Sequence, residues 1–306
     1  MSIISRAPRG VFAALATPLD ANAKLDQKGL EALVAHITKA PVSGICPVGS
    51  TGEGPLLDRE TRMEVTRRTV EQVDGSLSVI PATVSITERD VIADIEGYAS
   101  LGANQVLVPP PYYYPLSQGS ISDFFHRLAA ASPLPLVLYN IPQMTKIQIP
   151  PSLVAELAMD ENIVGIKDSS RDFEYFSSVT SAISSKDTDN FSVLTGSDTM
   201  LAASMLVGGD GTIAASVNLV PELVCDLYRA WIENDYQLAM KLQEQLLKVV
   251  QACRPPIFPV GWKAALSLAG LCEKFMAQPV RSATDTELEA LAPSLSSLGI
   301  SVGGNS

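Results

Sequence analysis

The sequence predicts a (β/α)8 TIM barrel with a C-terminal helical extension. Two observations support this fold: short apolar runs alternate with amphipathic stretches, and eight such pairs lie within the first 232 of the 306 residues. Eight strand–helix units are typical of a parallel barrel of about 250 residues. An open doubly wound sheet is the alternative, but no G-x-G-x-x-G motif follows the first strand.

Each predicted strand is a short apolar run, as expected for strands that are buried on both faces of a parallel sheet. The eight runs are residues 11–16, 44–48, 78–84, 105–108, 136–140, 163–167, 191–195 and 211–214.

The stretches between the strands repeat apolar residues at helical spacing, and several begin at a capping signal. Residues 87–90, for example, resemble a capping box with aspartate at the fourth position. The predicted helices are residues 26–38, 58–73, 88–100, 121–131, 151–158, 172–183, 198–206 and 221–232.

Three further helical stretches follow the eighth unit, at residues 236–252, 261–271 and 286–298. They exceed what a barrel needs. We therefore expect a barrel domain over residues 1–232, which carries the active site, and a helical domain over residues 233–306. No low-complexity linker separates them.

The composition disfavours several classes of protein. The net charge is −11 and no run is rich in lysine or arginine, so a nucleic-acid partner is not expected. No apolar run approaches the roughly 18 residues of a membrane span. Residues 1–10 contain two arginines but no apolar signal-peptide core follows them, so we expect a cytoplasmic protein.

Neither a metal site nor a disulfide framework is expected. The four cysteines are scattered and form no CxxC pair, which disfavours a thiolate zinc site. The two histidines, His36 and His126, lie far apart in helix-like stretches, where a surface or structural role is the simpler interpretation. We therefore expect no metal and no other cofactor.

Lys167 is the first candidate catalytic residue. It lies at the end of a short apolar run that is predicted to be a buried strand. Burial disfavours the charged form of lysine, and a neutral amine can form a Schiff base with a carbonyl substrate. Its position alone leaves open the alternative that Lys167 merely ends a strand and extends its amine to water.

Other polar residues follow other predicted strands, where a barrel of this kind builds its active site. Ser50 and Thr51 lie in a glycine-rich turn that can hold a carboxylate or phosphate. Tyr139 lies near the end of the fifth strand, and a phenol near a lysine can move protons. Gly196 and Asp198 follow the seventh strand; this turn either contacts substrate or caps the next helix, and a cap is the simpler role for Asp198.

These residues are predicted to converge at one end of the barrel. An anion-binding turn, a tyrosine and a buried lysine together suit a 2-oxo acid. Ser50 and Thr51 would hold its carboxylate, Lys167 would attack its carbonyl, and Tyr139 would move the proton.

Three motifs resemble the signatures of the dihydrodipicolinate synthase / N-acetylneuraminate lyase family. They are Gly-Ser-Thr-Gly-Glu at 49–53, Tyr-Asn-Ile-Pro at 139–142 and Gly-Ile-Lys-Asp-Ser at 165–169. The resemblance extends over about residues 10–298 and includes a helix-entry motif at 256–263. It implies an eight-stranded barrel with C-terminal helices, usually a homotetramer, that binds pyruvate as a Schiff base without a metal.

The resemblance also implies a role for individual residues. Lys167 matches the Schiff-base lysine and Tyr139 the proton-transfer residue, while Ser50 and Thr51 match the carboxylate-binding pair. Tyr113, which lies in a Pro/Tyr-rich loop after the fourth strand, matches a tyrosine that a neighbouring subunit contributes to a proton relay. The resemblance thereby implies a homo-oligomer, either a dimer or a tetramer.

Two departures bear on the substrate. The synthases carry an arginine for the aldehyde carboxylate at a position that is Met144 here, and methionine cannot bind a carboxylate. The sialate lyases hold their polyol through residues that match Asp198, Thr199 and Ala215, of which only the aspartate is retained.

We therefore expect a class I lyase or aldolase that cleaves or forms a shorter 4-hydroxy-2-oxo acid, with pyruvate as the oxo-acid partner and an aldehyde as the other. A 2-keto-3-deoxy sugar acid and 4-hydroxy-2-oxoglutarate are the candidate substrates. Dihydrodipicolinate synthase, a non-catalytic homologue that binds 2-oxo acids, and a phosphate-binding barrel enzyme of another mechanism are the alternatives.

Overall fold

The computed structural model describes residues 7–185 and 190–303. Its strands are β1 (Gly10–Ala14), β2 (Gly44–Cys46), β3 (Ser78–Val79), β4 (Val106–Val108), β5 (Leu136–Asn140), β6 (Ile163–Asp168), β7 (Ser192–Thr195) and β8 (Gly211–Ala214). All the pairings between them are parallel, in the order β3-β2-β1-β8-β7-β6-β5-β4. A parallel bridge between Ala82 and Leu107 joins the two ends of this sheet, so the predicted barrel is confirmed.

The third strand is shorter than the predicted 78–84. Pro81 has no N–H group and cannot donate to a neighbouring strand, so regular pairing stops before it. The chain nevertheless stays beside its neighbours. Leu107 N–H donates to the Pro81 carbonyl at 2.9 Å and the Thr83 N–H donates to the Leu107 carbonyl at 2.9 Å.

Helices follow the strands around the barrel. They are α1 (Gln27–Ile37), α2 (Arg59–Val73), α3 (Glu88–Ser100), α4 (Gln118–Ala131), α5 (Pro142–Thr145), α6 (Pro151–Leu157), α7 (Phe173–Ser184), α8 (Leu201–Leu206) and α9 (Pro221–Ile232). The predicted bounds agree closely except at α4 and α8. Helix α4 begins three residues before residue 121, because the Ser117 hydroxyl caps the Ser120 N–H at 3.1 Å. Helix α8 begins three residues after residue 198, because Asp198–Met200 forms a 3₁₀ turn. The single-turn helix α5 was not predicted.

The hydrophobic core has two parts. The larger part fills the layer between the sheet and the surrounding helices. The smaller part fills the interior of the barrel and consists of Phe12, Ala14, Cys46, Ile80, Ala82, Leu107, Val137, Tyr139, Ile141, Val164, Leu194 and Ile213. Because side chains alternate between the faces of a strand, these inward-facing apolar residues fill the barrel interior.

Three helices follow the barrel: α10 (Tyr236–Ala252), α11 (Val260–Leu268) and α12 (Asp285–Ser297). They are tied to the barrel by buried polar contacts. Gln243 of α10 accepts the Ala202 N–H at 2.9 Å and donates to the Asp198 carbonyl at 3.0 Å. The boundary between the two proposed domains at residues 232 and 233 stays a prediction.

Within the ranges that the structure describes, no helix combines the length and the apolar character needed to cross a membrane.

Candidate active site

Lys167 lies near the end of β6 and is almost completely buried, with 4% of its surface exposed. Its Cα is paired with that of Tyr139 on the neighbouring strand β5. The Lys167 Nζ atom lies 4.5 Å from the centroid of the Tyr139 ring. The amine and the phenol are therefore held side by side by two paired strands rather than by loops.

A bulge between β5 and β6 gives Lys167 this orientation. Leu136 pairs with Ile163, but the next residue, Val137, pairs with Gly165, so Val164 is an extra residue on β6. Ile163 packs in the outer core and Val164 in the barrel interior. Because side chains alternate along a strand, the extra residue reverses the alternation and brings Lys167 to the inner face.

A turn between β2 and the following 3₁₀ helix lies next to Tyr139. The Ser50 hydroxyl is 3.2 Å from the Tyr139 hydroxyl. The Thr17 hydroxyl fixes the turn by donating to the Gly52 carbonyl at 2.6 Å. A side chain at Gly54 would place its Cβ 1.8 Å from the Val48 carbonyl oxygen, so glycine is required at that position.

The turn is also supported from behind by a buried ion pair. The Lys263 ammonium on α11 donates to the Glu53 carboxylate at the end of the turn, to the Thr17 carbonyl at 2.8 Å and to the Phe275 carbonyl at 2.9 Å. The other Glu53 oxygen accepts the Ala277 N–H at 2.7 Å. Every hydrogen-bonding direction of the ammonium is used, as a buried charge requires.

A second polar network lies on the other side of Lys167. The Asn140 side chain donates to the Asp168 carboxylate at 2.8 Å and accepts the Ile149 N–H at 3.0 Å. Burial raises the pKa of the Asp168 carboxyl, whereas hydrogen bonds from Asn140 and Ser170 oppose that shift. These contacts hold the ends of β5 and β6 together, immediately after the tyrosine and the lysine.

A cavity of about 520 Å³ opens at the carboxyl ends of the strands. Thr51, Tyr139, Lys167, Gly196 and Asp198 all line it, so the structure brings five of the seven predicted site residues to one space. A smaller cavity of about 310 Å³ adjoins it, and Ser50 lines only this one. The two cavities share Tyr139, Ile141, Met144 and Phe258 as a common wall.

Gly196 lies directly against the lysine. A Cβ atom at this position would be 2.8 Å from the Lys167 Cε and 2.0 Å from the Ser169 hydroxyl oxygen. A larger residue would therefore displace the lysine side chain or the serine. The absence of a side chain at Gly196 leaves the space that the Lys167 side chain occupies.

Asp198 does not cap the helix that follows it, so that interpretation was wrong. Its carboxylate accepts the Ser216 N–H at 2.9 Å, across the gap between the ends of β7 and β8. The helix that follows has no side-chain cap at either its 3₁₀ or its α-helical start. Burial raises the pKa of the Asp198 carboxyl.

Tyr113 lies outside both cavities of its own chain. It is 79% exposed, its backbone has a φ of 103°, and its ring packs edge-to-face on Tyr114 with the centroids 5.0 Å apart. It lines a separate shallow pocket together with Met144. The structure of one chain therefore does not bring Tyr113 to Lys167, and its predicted role stays a prediction.

The lining residues to which the sequence analysis gave no role include Arg171, Arg254, Phe258 and Trp262. Phe258 and Trp262 belong to the helix-entry motif at 256–263. This motif was recognised in the sequence, but no function was assigned to its residues. Arg171 lies two residues after the lysine motif, and Arg254 follows α10, where no pattern distinguishes it. Within residues 7–185 and 190–303, no group of three or more histidine, cysteine or acidic side chains is arranged to hold a metal ion.

A buried lysine beside a phenol, at the carboxyl ends of the strands of a parallel barrel, defines an enzyme site suited to carbonyl chemistry through an amine. Comparison with known proteins identifies the class of enzyme more specifically. The model of the dihydrodipicolinate synthetase family matches residues 7–298. The chain belongs to this family, and it is thus a class I pyruvate-dependent lyase.

Three relatives illustrate the similarity. An uncharacterised DapA-like lyase of Halobacterium salinarum is 33% identical, over 95% of this chain and 94% of its own. A 4-hydroxy-tetrahydrodipicolinate synthase of Methanopyrus kandleri is 31% identical, over 95% and 96%. The crystal structure of YagE from E. coli K12 in complex with pyruvate superposes with a TM-score of 0.90 at 29% identity, over 95% and 99%.

Proposed function

We propose that this protein cleaves or forms a 4-hydroxy-2-oxo acid, with pyruvate as the oxo-acid product or substrate and an aldehyde as the second partner. The observation that carries the proposal is the buried Lys167 amine beside the Tyr139 ring in a single cavity. The substrate would be of the 2-keto-3-deoxy sugar acid or 4-hydroxy-2-oxoglutarate type.

The first step joins the enzyme to its substrate. The Lys167 amine attacks the C2 carbonyl carbon, the resulting C2 hydroxyl takes the proton of the Tyr139 hydroxyl and leaves as water, and an iminium ion forms between C2 and Nζ. The carboxylate at C1 is held by the turn of Ser50 and Thr51, which fixes C2 in reach of the amine. The iminium nitrogen can then accept an electron pair, which the cleavage of the carbon–carbon bond requires.

The second step breaks the carbon–carbon bond. The Tyr139 oxygen takes the proton of the C4 hydroxyl, the C3–C4 bond breaks, and its electron pair moves through C2 to the iminium nitrogen. An aldehyde leaves and an enamine remains on Lys167. Protonation of C3 and addition of water to C2 then release pyruvate and restore the amine.

The contact of 3.2 Å between the hydroxyls of Tyr139 and Ser50 supports this proton path. In the proposed assembly, Tyr113 of a neighbouring subunit would extend the path toward water, which would make the active form a homo-oligomer. The exposure of Tyr113 leaves it available for such a contact.

A second candidate is the condensation of pyruvate with aspartate semialdehyde. Curated relatives such as the Methanopyrus kandleri protein, named 4-hydroxy-tetrahydrodipicolinate synthase, favour it. Met144 weighs against it, because this residue lies in the wall between the two cavities and its thioether cannot pair with a carboxylate.

The proposal is tested by borohydride reduction in the presence of pyruvate, followed by peptide mass spectrometry. We expect a reduced pyruvate adduct on Lys167 in the wild type and none in Lys167→Ala, with the circular dichroism spectrum unchanged. Lys146→Ala, which removes an exposed lysine, is the matched control and should retain the adduct. A folded wild-type protein without an adduct on Lys167 would refute the imine mechanism.

A panel of aldehydes with pyruvate then separates the two candidates. Aspartate semialdehyde as the preferred acceptor would favour the synthase reaction, and pyruvate release from a 4-hydroxy-2-oxo acid would favour the proposed one.

A further inference from the structure

The wall of the main cavity has a charge opposite to that of the whole chain. The protein carries a net charge of −11. The cavity, however, is lined by two arginines, Arg171 and Arg254, beside Lys167, and by a single carboxylate, Asp198. We infer that Arg171 and Arg254 form an anion site that recognises an acidic group at the end of the substrate remote from the 2-oxo acid.

The two arginines differ from the other described arginines in having no partner. The structure describes eleven arginines, and nine of them form ion pairs with carboxylates. The two without an ion pair are Arg171 and Arg254, and both line the cavity of Lys167. An acidic chain has carboxylates in excess, so two unpaired guanidinium groups at one cavity indicate a site for an external anion.

The backbone at Arg171 supports the same conclusion. This residue has a φ of 64°, in the left-handed region that most residues other than glycine avoid. It lies four residues after Lys167, and the next residue, Asp172, caps α7 by accepting the Tyr175 N–H at 3.0 Å. An arginine therefore occupies a position where glycine would be less strained, and strain of this kind is found at binding sites.

The two arginines reach the cavity from different parts of the fold. Arg171 lies in the loop after β6, whereas Arg254 follows the end of α10 in the helical extension. The carboxylate at the same cavity, Asp198, forms no ion pair with either arginine and instead accepts the Ser216 N–H. Hydroxyl side chains of Ser169, Ser170 and Thr199 complete the polar part of this wall.

The planar guanidinium group pairs well with carboxylates and with phosphates. The shared chemistry is thus an anionic terminus, either the second carboxylate of a dicarboxylic 2-oxo acid or the phosphate of a phosphorylated one. This inference rests on the proposed function in one respect, which is the orientation of the bound substrate. In the proposed function, Lys167 and the turn of Ser50 and Thr51 bind the 2-oxo acid end, so the opposite end faces the two arginines.

Pairs of 2-oxo acids that differ only at the far end provide the test. The dissociation constants of 2-oxoglutarate and 2-oxoadipate are compared with those of 2-oxopentanoate and 2-oxohexanoate, which have the same number of carbons but no second carboxylate. A second arm compares 2-keto-3-deoxy-6-phosphogluconate with 2-keto-3-deoxygluconate. A preference for the dicarboxylic acids in the first comparison identifies a carboxylate as the recognised group. A preference for the phosphorylated acid in the second identifies a phosphate.

We expect the wild type to prefer the acidic member of at least one pair. Arg171→Ala and Arg254→Ala should each reduce this preference about tenfold, because a charged hydrogen bond contributes about that factor. Arg171→Lys and Arg254→Lys should retain part of it. Arg89→Ala, which removes an exposed arginine outside the cavity, is the matched control and should leave the preference unchanged.

Arg171→Gly separates recognition from folding. Glycine adopts the left-handed conformation without strain, so this variant should be at least as resistant to urea as the wild type while losing the preference. The inference is overturned if the wild type prefers no acidic member, or if the preference survives in the double variant Arg171→Ala/Arg254→Ala. A missing pyruvate adduct would instead refute the proposed function, because binding of these acids is measured independently of the adduct.

Discussion

Replacing Lys263 by methionine tests the ion pair that supports the turn of Ser50 and Thr51. The side chains of Lys263 and Glu53 are 2% and 1% exposed. The replacement is close in volume but removes three hydrogen bonds and leaves the Glu53 carboxylate buried without its cation. Breaking one partner of a buried pair costs about 3–5 kcal/mol of the free energy of unfolding.

The measurement is urea unfolding of the wild type, Lys263→Met, Glu53→Gln and the double variant. Each single variant should lose about 3–5 kcal/mol, and the double variant should lose clearly less than their sum, because no uncompensated charge remains. The matched control is Lys274→Met, which breaks the exposed pair between Lys274 and Asp285 in the same helical extension and should have little effect.

The turn itself gives a second measurement for the same variant. Lys263 also binds the Thr17 carbonyl, and the Thr17 hydroxyl holds Gly52 in the turn. Pyruvate should therefore bind more weakly to Lys263→Met in the folded state. If this variant lost less than 1 kcal/mol and bound pyruvate normally, the Glu53–Lys263 pair would not support the site as argued.

Three further variants test the site and the helical extension. Tyr139→Phe should lower the single-turnover rate roughly 10²–10⁴-fold through loss of proton transfer, and an unchanged rate would remove Tyr139 from the proton path. Gly196→Ala should slow adduct formation with pyruvate by about 10²-fold, because the added Cβ would displace the Lys167 side chain. A borohydride-reduced adduct that forms at the wild-type rate would contradict this prediction. Arg281 lowers the pKa of Glu287 to about 2, so the advantage of the wild type over Glu287→Gln in thermal unfolding should be lost as the pH falls from 4.5 to 2. A difference independent of pH would contradict the pairing.

Most of the fold could be predicted because each strand–helix unit carries its own local signal. Leu136–Asn140 is a purely apolar run with a polar end, and α3 begins after a threonine cap, so both elements were located to the residue. The errors lie where a local signal was weak or contradicted. Pro81 shortened the third strand, and the Ser117 cap of α4 was overlooked.

The composition of the site was easier to predict than its geometry. Lys167 could be identified because a lysine is unusual at the end of an apolar run. Its inward orientation depends on the extra residue Val164, and a bulge depends on pairing with a second strand. Glu53 and Lys263 are 210 residues apart, so no local pattern links them, and the same is true of Arg171 and Arg254.

The register of β5 and β6 has an evolutionary consequence. Tyr139 and Lys167 occupy paired positions on adjacent strands, so their separation follows from the spacing of a parallel sheet, which is about 4.8 Å. The residues that face the rest of the substrate, such as Met144 and Arg171, lie in the segments after those strands. Descendants of one ancestral barrel can therefore exchange acceptor specificity by substitutions in these segments while inheriting the reacting pair unchanged.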